Sequence, residues 1–189
     1  MGRLNSKYLS YLFGINIAIY LILILNKPSL ITNEIFFNND LQLFIFVITS
    51  ILIFLIGIFD DEYNLSPNLK IFLLSSVIFL ILYFDNDLII RNIRISFLDH
   101  TVGTKNLGTL FTFFCVLVFL NAFNMFDGIN LQASIYSISI FLFLSFMVIQ
   151  SFFILIIIIY LIGYSILNYR NKSFLGDSGS LLLAFLISY

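Results

Sequence analysis

The sequence predicts an all-α protein, a polytopic transmembrane helical bundle of about seven spans with the last one truncated. Three observations predict it. Hydrophobic residues make up 61% of the 189 positions and charged residues only 10%, against roughly 25% in an ordinary soluble domain. Mean hydropathy is +1.08. The apolar residues are gathered into runs near bilayer length, and the middles of the runs are free of charge. A net charge of -1 and a pI near 5.6 leave no basic face to meet a phosphate backbone, so no nucleic-acid partner is expected. The one cysteine, Cys115, excludes an internal disulfide and reads as a small core residue.

The first apolar run, Phe13 to about Leu25, follows a start that lacks the pattern of a cleaved signal and stops at Asn26, Lys27 and Pro28. After a polar loop to Asp40, the 19 residues Leu41 to Phe59 reach bilayer length. Ser66 and Pro67 form a start signal for a third span, a capping hydroxyl followed by a proline whose missing N–H is harmless there, and that span runs to Phe84. From Asp85 to Asn106 the chain turns polar and alternating, which reads as an exposed loop or a short hairpin. His100 falls in it without ligand-spaced neighbours and reads as a surface histidine. A fourth span covers Leu107 to about Phe126. Ser134 to Leu167 would be about 51 Å long as one helix, too long for a core of about 30 Å, so the chain is expected to turn at Gln150 and Ser151 into two antiparallel spans. A seventh begins near Ser180 and is cut by Tyr189.

Counting spans places the segments Asp60–Ser66, Asp127–Ala133 and Asn168–Gly179 on one side of the membrane. Five Lys and Arg residues on that face against four on the other tip it slightly toward the cytoplasm. These segments carry the chemistry. Asp60 and Asp61 end an apolar run side by side, and clustered carboxylates at a low-dielectric boundary raise one another's pKa unless a cation joins them. Mg²⁺ suits such a place, since it takes one or two carboxylates and fills its shell with water and phosphates. The plain alternative is a span end marked by charge. In NAFNMFDGIN, Asn121, Asn124 and Asp127 recur every third residue on one helical face, which suits a flat hydrogen-bonding ligand such as a nucleobase or, alternatively, a polar contact between helices. Asn130 is a fourth member or ordinary turn chemistry. In FLGDSGS, Asp177 sits among small residues where a phosphate or metal can approach the backbone, or where a helix is simply capped.

DDEYNLSPNLK, then NAFNMFDGIN, then FLGDSGS, in that order at span ends of one face, resemble the polyprenyl-phosphate N-acetylhexosamine-1-phosphate transferases from about Leu9 to Tyr189. That family includes the UDP-GlcNAc:undecaprenyl-phosphate GlcNAc-1-phosphate transferases and the phospho-MurNAc-pentapeptide translocase. The resemblance implies one membrane transferase domain over residues 1–189, multi-pass in the plasma (inner) membrane with a cytosolic active site. It would move a sugar-1-phosphate from a UDP-sugar, GlcNAc by preference, to undecaprenyl phosphate and release UMP, initiating a cell-envelope glycan. It further implies Asp60 as the base toward the lipid phosphate, Asp61 beside it, and Asp177 and Asp61 as Mg²⁺ ligands. Asn121, Asn124, Asp127 and Asn130 would shape the nucleotide site, Phe174 would stack on uracil, and Lys70 would neutralise phosphate. Direct attack and a covalent intermediate stay open, as does a homodimer.

Asn130 stands where many relatives carry an aspartate, which removes a charge from the expected uracil contact. A preceding span and a later histidine-rich motif are not found, so the domain is expected to be incomplete at both ends. The pentapeptide translocase, an inactive truncated paralogue and a transporter are the other readings. A transporter would place ionisable groups in mid-membrane, which these spans lack.

Overall fold

The computed structural model describes residues 37, 39–95, 100–147 and 152–189, which form six α-helices and one hairpin. The expected first span, Phe13 to Leu25, and the turn at Gln150 and Ser151 lie outside the described residues.

Helix α1 (Asp40–Tyr63) starts where the Asn39 side chain accepts the N–H of Gln42 at 2.9 Å, and it stops where Asn64 turns into the left-handed region at φ 50°. Helix α2 (Pro67–Phe84) follows after three residues, with Ser66 accepting the N–H of Leu69 and Pro67 in the first helical position. The polar stretch after it holds an antiparallel hairpin, β1 (Asn92–Ile95) and β2 (His100–Gly103), with Asn92 opposite Gly103. Helices α3 (Gly108–Phe126), α4 (Gln132–Met147), α5 (Phe152–Tyr169) and α6 (Gly176–Ser188) complete the chain.

By length and composition α1, α2 and α3 are able to cross a bilayer, and the other three are shorter apolar helices over their described residues. Seven spans are therefore not what the described residues show. Helix α6 is the axis of the bundle, packing on α1, α3 and α4, while α2 leans on α1 and α3, and α5 on α4. Nine consecutive residues of α6, Ser178 to Leu186, are buried. Large apolar side chains such as Phe72, Phe79, Val118, Phe143 and Ile159 point outward, a surface that lipid covers and water does not.

Apolar packing alone does not drive helices together in lipid, so close approach and satisfied polar groups have to specify the bundle. Ser50, Thr112, Ser137 and Ser165 each donate to the carbonyl four residues back, at 2.7–2.8 Å, and Thr112 also accepts the N–H of Ile90 at 2.9 Å. At the end away from the acidic loops, Gln42 donates to Asp85 at 3.1 Å and to Asp87 at 2.8 Å, and the Tyr189 hydroxyl donates to Asp85 at 3.1 Å, tying α1, α2 and α6. Cys115 corrects the sequence reading. It is exposed on α3, because that helix buries only a narrow stripe against α2 and α6.

Candidate active site

The three acidic segments meet at one end of the bundle. The last turn of α1 brings Asp60 and Asp61, the first turn of α2 brings Lys70, the end of α3 brings Asn124 and Asp127, and the first turn of α6 brings Asp177. Lys70 is the hub: its Nζ lies 2.6 Å from Asp60 Oδ2 and 3.6 Å from Asp177 Oδ1, and it donates to Asn124 Oδ1 at 3.2 Å. Asp60 is buried, and its other oxygen accepts the N–H of Leu65 at 3.0 Å. Asn124 donates its amide to Asp177 and, at 2.8 Å, to the Ser180 hydroxyl. One ammonium and one amide thus hold two carboxylates that would otherwise repel.

Asp61 does something different. Its Oδ1 accepts the N–H of Asp177 at 2.9 Å and its Oδ2 the N–H of Ser178 at 3.1 Å, across two segments far apart in sequence.

Beside this network opens a cavity of about 280 Å³, lined by Asp61, Asn124, Asp127, Asn130, Phe174 and Asp177 together with Gly128, Gly176 and Asn168. Phe174 is half exposed at its rim. Asp127 caps the end of α3, and burial, then the charges of Asp177 and Asp61, push its pKa up to about 7. Asn130, in the lining, donates its amide to Asn171 Oδ1. Asn121 is the expected member that the fold turns away: its amide donates to Leu117 O, 2.8 Å off on its own helix, and it does not line the cavity.

A sequence profile of glycosyl transferase family 4 matches residues 43–189, an interval that contains every one of these side chains. The chain belongs to glycosyl transferase family 4. This is the family of the polyprenyl-phosphate sugar-1-phosphate transferases, so the protein is a membrane transferase of that kind, acting on polyprenyl phosphate. A search of curated proteins found no match.

Family 4 membership leaves the donor set to be judged on its own chemistry. Among the described residues no three His, Cys, Asp or Glu side chains are grouped as a metal cage. Mg²⁺ keeps its waters and takes substrate phosphates alongside one or two carboxylates, so what it asks of the protein is a carboxylate open to a cavity. Asp177, with about a third of its side chain exposed and facing the cavity, fits the part.

The family 4 site also holds a residue that the sequence did not single out. Asn168, buried at the end of α5, accepts the N–H of Leu131 at 2.6 Å and donates to Ser173 O at 2.8 Å and to the Tyr164 hydroxyl at 3.0 Å. It staples the Asp127–Leu131 turn to the strand of chain that carries Phe174. Leu131 sits at φ 69°, a conformation that a non-glycine side chain holds only when its surroundings fix it. An asparagine at a span end carries no local signal of such a duty.

Proposed function

We propose that this protein transfers a sugar-1-phosphate, GlcNAc-1-phosphate by preference, from a UDP-sugar to undecaprenyl phosphate at the cytosolic face of the plasma membrane. An oxygen of the lipid phosphate attacks the phosphorus that bears the sugar. The bond from that phosphorus to the bridging oxygen breaks, UMP leaves, and a lipid pyrophosphate sugar remains. The observation that carries the reading is Lys70 between Asp60 and Asp177 at the lip of the bundle, beside a cavity with a half-exposed aromatic ring.

Phosphoryl transfer asks mainly for positioning and for neutralised charge. Asp60 takes the proton of the lipid phosphate where one is present, and Lys70 turns from Asp60 to the phosphate oxygens as they arrive. Asn124, Asp127 and Asn130 meet the nucleotide, with Phe174 against the uracil face. Asp177 holds Mg²⁺, which when bound supplies charge stabilisation to the pyrophosphate. The lipid enters sideways between helices, from a bilayer that already covers their outer faces.

The test is UMP release by the complete protein from UDP-GlcNAc with undecaprenyl phosphate. Asp177→Asn abolishes it on this reading, and unchanged release at saturating Mg²⁺ would sink the assignment of Asp177.

A further inference from the structure

Both carboxylate oxygens of Asp61 are engaged by backbone. They accept the N–H groups of Asp177 and Ser178, which belong to the first turn of α6 and therefore have no carbonyl partner within that helix. Helix α6 lacks a cap of its own, since Leu175 before it offers no side-chain acceptor. The cap arrives instead from α1, and two glycines are shaped around it. A Cβ at Gly176, which stands at φ +68°, would fall 2.9 Å from both oxygens of Asp61. One turn before Asp61 on the same face of α1, a Cβ at Gly57 would fall 2.3 Å from Ser178 Cα. The bare backbone at 57 and the carboxylate at 61 form a seat into which the start of α6 is set.

The same first turn carries Asp177, whose carboxylate faces the cavity. We propose that Asp61 is a positioning residue and not a metal ligand: it anchors the first turn of α6 through two amides and so aims the Asp177 carboxylate. This rests on the reading that Asp177 holds the catalytic cation. A carboxylate fits the duty, because two parallel N–H donors at a helix N-terminus favour a negative acceptor with two oxygens. Asparagine offers one oxygen and turns an NH₂ group against the other N–H.

The experiment uses the full chain in detergent, with Mn²⁺ as the probe, its binding counted from free Mn²⁺ by electron paramagnetic resonance. Melting is followed separately in chelator. Asp61→Asn is expected to lower the metal-free melting temperature and to weaken Mn²⁺ binding by about tenfold or more, the range for groups that orient a ligand. Asp177→Asn is expected to remove Mn²⁺ binding. Gly176→Ala, which touches no metal-binding group, should weaken Mn²⁺ binding as Asp61→Asn does. Should Asp61→Asn fail to fold, amide hydrogen exchange at Asp177 and Ser178 of the unaltered protein in chelator decides: slow exchange supports the anchor and fast exchange overturns it. A wild-type melting temperature in chelator with Mn²⁺ binding lost makes Asp61 a ligand and overturns the inference. A lowered melting temperature with wild-type Mn²⁺ affinity makes it merely structural and does the same. If Asp177→Asn binds Mn²⁺ like the unaltered protein, the reading of the site falls and takes the inference with it.

Discussion

The Lys70 ammonium sits 2.6 Å from the Asp60 carboxylate, and both groups are largely removed from water. Breaking a buried pair by removing one partner leaves the other charge uncompensated, at a cost of about 3–5 kcal/mol. Lys70→Met is therefore expected to lower the unfolding midpoint and to cut UMP release by about a hundredfold or more, as for loss of one donor at a developing charge. Lys70→Arg should restore the charge without the activity, since a planar fork does not reach Asp60, Asp177 and Asn124 from one point as an ammonium does. Steady-state rates and denaturant unfolding of the two variants check this.

Asn168 predicts a different signature. In Asn168→Leu the N–H of Leu131 and the carbonyl of Ser173 lose their buried partner, at about 1–3 kcal/mol for a group left unsatisfied. The turn bearing Asp127 and Asn130 then drifts from Phe174. The expected outcome is a KM for UDP-sugar raised by an order of magnitude or so, with kcat less affected, measured by initial rates over a range of donor concentration.

Gly57 predicts a packing failure. Even alanine would overlap the backbone of Ser178, and overpacking costs about 1–3 kcal/mol where neighbours can move. Backbone cannot move as a side chain tip does, so Gly57→Ala should reach or exceed the top of that range. Gly163, whose added Cβ would meet nothing within 4 Å, is the control. Thermal melting in detergent should separate the two alanine variants clearly.

Asp127 gives the protein a pH dependence. Its carboxyl is raised from an ordinary value near 4 to about 7, so the folded state binds its proton more tightly than the unfolded state. The contribution is fully present below about pH 4 and is lost as pH rises toward 7. In chelator, stability of the unaltered protein should therefore fall through that window more steeply than that of Asp127→Asn. Equal slopes in unfolding free energy from pH 5 to 8 would show that Asp127 is ionised throughout.

Much of this was legible in local signals. Ser66 and Pro67 mark the start of α2 because capping is chemistry between residues three apart, and Phe84 ends it where polar residues begin. Counting spans from hydropathy expected Asp60, Lys70, Asn124 and Asp177 on one face, and the structure brings the four side chains together. What the sequence hides is long-range. Helix α6 begins at Gly176, four residues before the expected Ser180, because its N-terminal amides find their acceptor on α1. Helix α1 runs on past Phe59 to Tyr63, because Asp60 and Asp61 are paired and need not leave the helix to be solvated. Asn121 shares a helical face with Asn124 by spacing, yet its amide takes the nearer carbonyl of Leu117, a choice that spacing does not decide.

The bond between Asp61 and Asp177 also sets an order of assembly. Asp60 and Lys70 lie ten residues apart and join as soon as α1 and α2 have emerged, whereas Asp177 is made 116 residues after Asp61. At a synthesis rate of about 5–20 residues per second, Asp177 on α6 trails Asp61 on α1 by roughly 6 to 23 seconds. For that interval Asp61 stands at the lip of α1 without the two amides of α6, and the seat at Gly57 stays open. The transferase centre is thus closed only when α6 inserts into a position that its neighbours have kept vacant.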